Sequence, residues 1–428
     1  MNVLMFTNYA PLDVQRKNGN VMVNEGWVHG LQHNLLLEEN IILHIMYPQT
    51  ASKEVIFDKI SERFMAYGYY HSFTDFSDTE SIKRQIKNYQ YMNTIDVVHI
   101  MGTEFFHSLA AFRAMEDLGL SEKTVVSIQG LVSFCAQHYD YGVPGKYCHG
   151  FSLQEVYTSF SSIKKRAAEF KQRGAFETEL LRTCKNVIGR TSWDKRCAKL
   201  LNPDVRYYHN GENLRQSFYQ GDVWSLAACE KYSIFVSQAT YPLKGLHHVL
   251  KALPDIVKKY PETKLYVGGK APINSRRWKC NSYANYLKKL IKEGNLENHV
   301  CFCGSLSEEE MKKRYLQSHV FLSPSNIENS SNSIGEAMML GVPVVASNVG
   351  GTDSVLENGK SGFLYPLAES YIMIQEILDI FGNDDLANHV SRNAVEYSSH
   401  LYDSKKNIKT LLEIYTRLNN AEHTLLQT

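Results

Sequence analysis

Two glutamates eight positions apart are the residues of this sequence best placed to do chemistry. Glu328 and Glu336 enclose a small, polar stretch at residues 329–335. Carboxylates at this spacing can both face one ligand, with a polyol bound on one side and a phosphate bound by the N–H groups of a helix start on the other. A purely structural interpretation is equally open, because such loops often cap helices and the helix dipole favours a glutamate in the first turns.

The sequence around the two glutamates predicts a strand, a loop, a helix and a second strand. Residues 321–324 end a short buried strand, and residues 344–346 form the next one. Gly341 is placed to end the helix as a left-handed cap, and Pro343 stops the helix from continuing. The helix start then lies at the carboxyl edge of a parallel sheet, where an anion can bind. We expect the first glutamate just before the helix and the second about one turn inside it.

This segment resembles the nucleotide-sugar site of the retaining glycosyltransferases of family four, which have the GT-B fold. In that family the first glutamate contacts the donor sugar and the second holds the ribose hydroxyls, which implies these roles for Glu328 and Glu336. The resemblance also implies donor contacts from Ser331, Asn332 and Ser333 between them. It continues through Gly341-Val342-Pro343, Gly350-Gly351, Gly359, Gly362 and Tyr365-Pro366.

Composition and charge narrow the class of protein. The chain has 428 residues, which is enough for two or three domains. Lys and Arg total 46 against 45 Asp and Glu, a net charge of +1 that gives no indication of a nucleic-acid partner. No run of about 18 apolar residues predicts a membrane-spanning helix, and residues 1–8 enter a strand pattern without the features of a signal peptide. The eight cysteines form no CxxC pair, which favours reduced thiols and a cytoplasmic location.

Short apolar runs alternate with helical patterns along the chain, which predicts parallel α/β architecture. In the first half, strands are predicted at 3–6, 41–45, 97–100, 125–128, 187–189 and 205–209. In the second half, strands are predicted at 234–236, 265–267, 300–302, 320–322 and 344–346.

These two sets of strands predict two Rossmann-like, doubly wound domains joined by the polar stretch at 210–231. We assign residues 1–215 to an N-terminal acceptor-binding domain and residues 225–395 to a C-terminal domain that binds the nucleotide-sugar donor. The resemblance to GT-B enzymes implies that the two domains face one another across a cleft. It also implies that a C-terminal helix, at about residues 400–428, packs back on the N-terminal domain.

A lysine and a glycine follow the first predicted strand of the second half. Lys244-Gly245 precedes a helix whose apolar residues share one face. A lysine in such a loop suits a diphosphate, because it neutralises charge on the leaving nucleotide as the glycosidic bond breaks. Most lysines in such positions are merely solvated, which is the alternative. The family's diphosphate-binding lysine occupies the corresponding place, and this implies a catalytic role for Lys244.

Members of the family commonly carry an arginine five residues before this lysine, where the present chain has Ala239. Arg190 is the first candidate to replace it in catalysis, since it follows a predicted strand of the first half that should open on the cleft. Arg276 and Arg277 are the second candidates. A structural role for Arg190, paired with Asp194 at a helix start, is an equal alternative.

Three glycines complete the predicted donor site. Gly268 and Gly304 follow neighbouring predicted strands, at places where the family's loops enclose the nucleotide base. Such contacts are made largely by the backbone, so the sequence does not reveal the base, and UDP is preferred on frequency alone. Gly26, at a predicted helix start after the first strand, best matches the family's glycine-rich loop, with Gly19 as the second match.

Two strand ends of the first half carry predicted acceptor-side residues. Glu104 follows the strand at 97–100, where it either binds acceptor hydroxyls or merely starts a helix. Gln129 follows the strand at 125–128, where many relatives have a histidine. Because a glutamine cannot exchange protons, no general base is assigned there. His99 alternates within a buried strand and is predicted to be a packed core residue.

A cluster of positive charge lies on a predicted helix of the first half. A solvated helix face is the main interpretation, and a peripheral patch for anionic lipid is the alternative. The residues of this cluster are Lys164, Lys165, Arg166, Lys171 and Arg173.

We therefore predict a retaining glycosyltransferase that moves a sugar from a nucleotide-diphosphate sugar, by preference a UDP-sugar, to a glycan or lipid-linked acceptor. The resemblance implies a place in bacterial surface polysaccharide assembly. The location expected is the cytoplasm, and the basic cluster leaves peripheral association at the inner face of the cell membrane as the alternative. No cofactor and no metal are expected, because no aspartate pair of the DxD kind stands where a metal–diphosphate site belongs. A nucleotide-sugar epimerase of the same fold and a non-catalytic sugar-nucleotide-binding protein are the alternatives.

Overall fold

The chain forms two compact units. The computed structural model describes residues 1–17, 26–71, 79–149, 162–238, 240–269 and 281–425. The first unit contains Met1–Ser133, Gln172–Arg215 and Tyr402–Thr428, and the second contains Phe134–Lys171 and Gln216–Leu401.

Helices and strands alternate through most of the chain, as expected for α/β architecture. In the described part of the chain the α-helices are α1 (Leu12–Lys17), α2 (Gly26–Leu37), α3 (Thr79–Lys87), α4 (Phe106–Asp117), α5 (Val132–Cys135), α6 (Gly145–Cys148), α7 (Ile163–Thr183), α8 (Ser192–Leu201), α9 (Leu246–Lys259), α10 (Ser282–Glu293), α11 (Glu308–Gln317), α12 (Asn332–Met339), α13 (Ser370–Gly382), α14 (Asp384–Leu401) and α15 (Ser404–Leu425).

The first unit is built on an eight-stranded sheet. Its strands are β1 (Asn2–Phe6), β2 (Ile42–Gln49), β3 (Ile56–Ser61), β4 (Phe64–Tyr70), β5 (Val97–Met101), β6 (Thr124–Ser127), β7 (Asn186–Gly189) and β8 (Arg206–His209). They lie in the order β3-β4-β2-β1-β5-β6-β7-β8, and every neighbouring pair is parallel except β3 with β4. Every residue of β5 and β6 is buried, which explains why apolar residues occupy both faces of these strands.

The second unit is built on a six-stranded, fully parallel sheet. Its strands are β9 (Glu230–Val236), β10 (Lys264–Gly268), β11 (Val300–Gly304), β12 (Ser318–Ser323), β13 (Val344–Ser347) and β14 (Phe363–Tyr365). They lie in the order β11-β10-β9-β12-β13-β14.

The strand order of each sheet reverses once beside its first strand. The reversal falls between β1 and β5 in the first unit and between β9 and β12 in the second. At such a switch point the loops leave the sheet on opposite faces, which opens a crevice at the carboxyl ends of the two strands. In the second unit, the loops after β9 and β12 are therefore the expected place for a ligand.

The predicted parallel α/β architecture is confirmed, since each of the eleven predicted strands is present. Three further strands, β3, β4 and β14, were not predicted. β3 is an edge strand that alternates between exposed and half-buried residues, and β14 is only three residues long, so neither carries a strong apolar signal. The predicted left-handed cap at Gly341 is also confirmed, with φ of 78° and its N–H donating to the Met338 carbonyl at 2.9 Å.

Residues 134–171 belong to the second unit, although they were predicted to lie within the first domain at 1–215. Contacts between distant residues cause this difference. The Asn326 side chain donates to the carbonyls of His138 and Tyr141, at 3.1 and 3.3 Å. The ring of Tyr147 stacks on that of Tyr286 at a centroid distance of 4.7 Å. Neither contact has a local signature in the sequence.

The predicted apolar face of the helix after Lys244-Gly245 is present in α9, where Leu246, Val249, Leu250 and Leu253 are all buried. The described helices include none that is both long enough and apolar enough to cross a membrane. Seven of the cysteines lie in the described ranges, and all seven are unbridged.

Candidate functional site

An ion pair between Lys244 and Glu328 lies at the switch point of the second sheet. Lys244 ends a single 3-10 turn at Pro242–Lys244, after β9, and Glu328 lies in the loop that follows β12. The lysine Nζ donates to Oε1 of the glutamate, and the hydroxyl of Ser325 donates to the same oxygen at 2.7 Å. The fold thus brings together two predicted catalytic residues that are 84 positions apart in sequence.

The Lys244–Glu328 pair is shielded but accessible. Burial opposes the charged form of Lys244, but the Glu328 carboxylate, with Tyr241 and Cys135, outweighs this effect and raises the pKa of the lysine above its ordinary value. The lysine is therefore a permanent cation. Its side chain remains 22% exposed and that of the glutamate 15%, so a ligand can reach both groups.

Two glycines let the loops of the pair pack backbone to backbone. Gly245 has φ of 73°, and a Cβ there would lie 1.8 Å from the carbonyl oxygen of Pro324. Gly350 has φ of 55°, and a Cβ there would lie 2.0 Å from the carbonyl oxygen of Glu328. Only glycine tolerates both the left-handed backbone and the close approach. The N–H of Gly351 also donates to the Glu328 carbonyl at 3.0 Å, which fixes the position of this loop.

The helix start predicted to bind a phosphate is the first turn of α12. Glu336 is 6% exposed and lies one turn inside the helix, as expected. Ser331 occupies the N-cap position, but its side chain makes no capping hydrogen bond; instead its hydroxyl lies 2.9 Å from that of Ser333. The side-chain oxygen of Asn332 is buried and accepts no hydrogen bond. Helix capping therefore does not account for this polar loop.

The two predicted base-side glycines lie at the carboxyl ends of neighbouring strands. Gly268 ends β10, where a Cβ would lie 2.4 Å from the carbonyl oxygen of Ser237 in the loop after β9. The N–H of Gly269 donates to the Gly304 carbonyl at 2.8 Å, which joins the loops after β10 and β11. A Cβ at Gly304 would meet nothing within 4 Å, so the space beside this residue is open.

Arg190 follows β7 in the first unit, and its guanidinium is committed to a partner that was not predicted. It forms an ion pair with Glu212, with the two side chains only 9% and 6% exposed. Its Nη2 also donates to the backbone and side-chain oxygens of Gln129, at 2.9 and 3.1 Å. The predicted alternative partner, Asp194, accepts the backbone N–H of Arg190 at 2.8 Å and also attracts its guanidinium electrostatically, and it forms a capping box with Thr191 at the start of α8. The guanidinium of Arg190 is therefore paired directly with Glu212, and its hydrogen bonds fix the position of Gln129.

Glu104 lies in the loop after β5 of the first unit with its carboxyl folded back on the chain. A Cβ at Gly102 would lie 2.6 Å from its Oε2, and this oxygen is buried without a hydrogen-bond partner. Burial raises the pKa of the Glu104 carboxyl. The backbone carbonyl of Glu104 accepts a hydrogen bond from Nε of Arg173 at 2.7 Å, so one member of the predicted basic cluster is structural.

Glu177, which was not singled out from the sequence, joins the two loops that carry Glu104 and Gln129. Its carboxylate accepts hydrogen bonds from the hydroxyls of Thr103 and Ser133, at 2.7 and 2.6 Å. It also accepts the backbone N–H groups of Val132 and Ser133, at 3.2 and 2.9 Å. Burial raises the pKa of Glu177 to about 7. A glutamate on a mostly polar helix gives no sequence signal for this role.

The remaining predictions for the first unit have mixed outcomes. His99 is a packed core residue, as predicted; its ring nitrogens lie 2.6 Å from the hydroxyls of Tyr415 and Ser127. Gly26 is the first residue of α2. Several residues named from the sequence lie outside the described ranges, namely Gly19, Ala239, Arg276 and Arg277.

The second unit also matches a known family model. Residues 224–397 match the model described as "Glycosyl transferases group 1". The spore coat protein SA of Bacillus subtilis is 26% identical over 191 residues, which cover 44% of this chain and 49% of that protein. The matches cover less than half the length of each curated relative.

Solved structures match nearly the whole chain. The structure of sucrose-phosphate synthase from Thermosynechococcus elongatus has a TM-score of 0.72 at 15% identity, over 98% of this chain and all of that one. Anabaena HepE, solved in complex with UDP and glucose, has a TM-score of 0.66 at 15% identity, over 97% of this chain and 99% of that one. Likeness at this level of identity establishes the fold. The chain therefore has the GT-B fold, and its residues 224–397 match the model of the glycosyl transferases group 1 family.

Proposed function

We propose that this protein is a retaining glycosyltransferase that takes a sugar from a nucleotide-diphosphate sugar. The observation that carries the proposal is the Lys244–Glu328 pair, which lies at the switch point of a parallel sheet inside the matched family domain. A fixed cation beside a carboxylate suits a substrate with a diphosphate next to a sugar.

In the proposed reaction the bond between the sugar C1 and the diphosphate oxygen breaks, and a bond from C1 to the acceptor oxygen forms. Lys244 stabilises the negative charge that develops on the leaving diphosphate. The acceptor hydroxyl attacks from the side of the leaving group and gives its proton to a diphosphate oxygen, which preserves the configuration at C1. Glu328 exchanges its contact with Lys244 for the hydroxyls of the donor sugar and positions C1 for attack.

The rest of the donor is assigned to the loops around this pair. Glu336 accepts the ribose hydroxyls, and the start of α12 receives the diphosphate. The open space beside Gly304 suits the base, with Gly268 and Gly269 as its backbone wall. UDP is the nucleotide we propose, since the structurally similar HepE binds UDP.

The proposal requires neither a cofactor nor a metal ion. The Lys244 cation and the backbone N–H groups of α12 supply the positive charge that a divalent ion supplies in other transferases. Arg190 is assigned a positioning role, because its guanidinium is already bound to Glu212 and Gln129 within the first unit. We do not retain it as the replacement for the arginine absent at Ala239.

The acceptor is proposed to be a glycan or a lipid-linked sugar of bacterial surface polysaccharide assembly, contacted by Glu104 and Gln129. The support for a lipid is the basic cluster on α7. Four of its five residues are exposed, and Arg173 is half-buried. Such a face attracts anionic lipid at the inner side of a membrane. Flotation with vesicles containing an anionic phospholipid tests this part, and recovery that charge-neutralising changes in the cluster do not lower would refute it.

The central test is a thermal-shift panel of UDP, GDP, ADP and CMP on the full chain, with and without Mg²⁺. Ligand that binds only the native state raises the Tm, so one nucleotide should give a selective shift that does not need Mg²⁺. The matching sugar nucleotide is then assayed for transfer, with retention judged by the anomeric configuration of the product. Inversion of one stereocentre of the donor sugar in the absence of an acceptor would indicate the epimerase alternative. Nucleotide binding without turnover would indicate the non-catalytic alternative.

Three variants separate the proposed roles. Lys244→Met and Glu336→Gln should weaken nucleotide binding at least about tenfold, because each loses a charge-assisted contact. Glu328→Gln should leave nucleotide binding intact and reduce transfer at least about a hundredfold. The matched controls are Lys231→Met and Glu357→Gln, since both residues form exposed ion pairs in the same unit. Wild-type transfer by Glu328→Gln or Lys244→Met would contradict the proposal.

A further inference from the structure

A turn at residues 138–142, which we name the docked turn, is bound by side chains from other parts of the second unit, among them Asn326, which lies two residues before Glu328. We propose that Asn326 is a positioning residue that holds the docked turn against the loop of Glu328, and that the docked turn forms the acceptor-sugar side of the reaction site. This inference rests on the transferase function proposed above.

Asn326 connects three stretches of backbone through one buried amide. Its side chain is only 1% exposed, and its nitrogen donates to the carbonyls of His138 and Tyr141 in the docked turn, at 3.1 and 3.3 Å. The same nitrogen lies 3.3 Å from the carbonyl of Pro242, and the backbone N–H of Asn326 donates to Leu243 at 2.8 Å. The docked turn and the turn that ends in Lys244 are thus joined by a single residue.

Two adjacent histidines of α9 determine the orientation of this amide and of the turn. Nε2 of His248 lies 2.9 Å from Oδ1 of Asn326, and because an amide oxygen only accepts, His248 must be the donor. This contact orients the amide nitrogen of Asn326 towards the carbonyls of His138 and Tyr141. Nε2 of His247 donates likewise to the Tyr141 carbonyl at 2.9 Å, and its Nδ1 accepts from the hydroxyl of Tyr283 at 3.1 Å. Burial lowers the pKa of both histidines, which keeps each ring neutral with one donor.

The conformation of the docked turn allows it to pack closely against His247 and His248, which together with Asn326 and Lys251 we name the seat of the turn. Gly142 has φ of 78°, and a Cβ there would lie 2.5 Å from Cε1 of His248 and 3.0 Å from Nε2 of His247. Nζ of Lys251, one turn further along α9, donates to the Gly142 carbonyl at 2.9 Å. A glycine is needed both for the backbone conformation and for the close approach to the histidines. Three carbonyls of the turn, those of His138, Tyr141 and Gly142, therefore accept hydrogen bonds from side chains elsewhere in the second unit.

The position of the docked turn gives it a part in the reaction. Asn326 stands two residues before Glu328, and Ser325, its neighbour, donates to the Glu328 carboxylate at 2.7 Å. Cys135, just ahead of the turn, is close enough to Lys244 to raise its pKa. A buried polar network of this kind fixes one geometry, whereas apolar packing tolerates several. The ring of Tyr141 is 44% exposed while its carbonyl is anchored, which leaves an aromatic surface suited to the apolar face of a sugar ring.

Two substitutions remove different contacts that hold the docked turn in place. Asn326→Ala removes the amide, and His248→Ala removes the group that orients it. His248 is only partly buried, so its variant keeps the test open if Asn326→Ala fails to fold. His248→Gln is the conservative variant, since a glutamine amide can also donate to Oδ1. His299→Ala is the matched control, because His299 contacts a backbone carbonyl, that of Thr263 at 2.9 Å, elsewhere in the same unit.

Three quantities are measured on the full chain: amide hydrogen exchange at residues 141–143, the Kd of UDP, and transfer from UDP-glucose to a panel of p-nitrophenyl glycosides. The N–H groups of Tyr141 and Val143 report on the turn, since both are hydrogen-bonded within it. In Asn326→Ala and His248→Ala we expect exchange there to rise about fivefold or more. The Kd of UDP should stay within about twofold while kcat/KM for the glycoside falls at least about tenfold. His248→Gln and the control should match the wild type.

Unchanged exchange in both alanine variants would overturn the seating of the docked turn. Faster exchange with unchanged transfer would overturn the positioning role, since the turn would then be held for stability alone. A parallel loss of UDP binding would also overturn it, because the change would then act on the donor. If the wild type neither binds UDP nor transfers glucose, the proposed donor is wrong and the positioning role is refuted with it. The hydrogen-exchange result still decides whether Asn326 holds the docked turn in place.

Discussion

Removing the carboxylate of Glu212 should destabilise the first unit strongly. In Glu212→Ala the guanidinium of Arg190 stays in its buried position without the carboxylate that directly pairs with it. Asp194 and Glu104 also attract this cation, but the side chain of Asp194 already accepts the backbone N–H of Arg190 and the hydroxyl of Tyr207. The oxygens of Gln129 remain as hydrogen-bond acceptors, but they carry no net charge.

The size of the effect follows from the burial of the ion pair. With side chains 9% and 6% exposed, Arg190 and Glu212 form a pair of the kind whose disruption costs about 3–5 kcal/mol. In a unit of this size, each kcal/mol lowers the Tm by about 2–4 °C, so the expected fall is roughly 6–20 °C. Replacing both charges, as in Arg190→Met with Glu212→Ala, should recover much of this loss, because no buried charge is then left alone.

The assay is urea denaturation of the four proteins of this double-mutant cycle, followed by far-UV circular dichroism. Glu62→Ala is the control, since it breaks an ion pair with Lys59 whose glutamate is 89% exposed, and such pairs contribute little. Two results would refute the reasoning. One is a Glu212→Ala midpoint equal to that of the control, and the other is a double variant no more stable than the single variants.

Three further outcomes are expected. Burial lowers the pKa of His99 to about 3, so below the ordinary histidine pKa of about 6.5 only the unfolded chain binds the extra proton, and the free energy of unfolding falls by about 2 kcal/mol at pH 5. His99→Gln should therefore reduce the change in urea midpoint between pH 7 and pH 5, and an unchanged slope would contradict this. Gly245→Ala should reduce nucleotide affinity at least about tenfold by forcing apart the two loops, whereas Gly359→Ala, which has φ of 75° but no atom within 4 Å of the added Cβ, should bind normally in the same titration. Glu177→Gln should lower the free energy of unfolding by about 1–3 kcal/mol, because one of the four groups that donate to Glu177 then faces an amide N–H. Glu179→Gln on the same helix, where the glutamate is 48% exposed, is the control and should leave the denaturation midpoint unchanged.

The features that could be predicted from sequence have local signals. Apolar residues in strands such as β5, β6 and β12 reflect burial on both faces, and a glycine before a proline marks the end of α12 at Gly341. The placement of Glu328 and Glu336 around the helix start could be read in the same way, because it depends on a short contiguous segment. β14 and the edge strand β3 lack such signals, one being very short and the other half-exposed.

The features that could not be predicted depend on contacts between distant residues. The sequence predicts a catalytic role for Arg190 or a pairing with Asp194, whereas its guanidinium pairs directly with Glu212, 22 positions away, in a polar stretch that predicts only a join between domains. Asn326 reaches the Tyr141 carbonyl across 185 positions. No periodicity or propensity records such a partner, so a structure is needed to see it.

The composition of the second unit limits how the protein can be cut and recombined. The docked turn comes from residues 134–171, while its seat comes from residues 216–401, and the whole of the intervening stretch belongs to the other unit. A fragment limited to the family domain at 224–397 would leave the donors of Asn326, His247 and Lys251 without their carbonyl partners. A chimera joined at residue 215 would likewise combine the seat with a turn from another protein. Modules exchanged between such proteins would therefore have to include two separate stretches of chain.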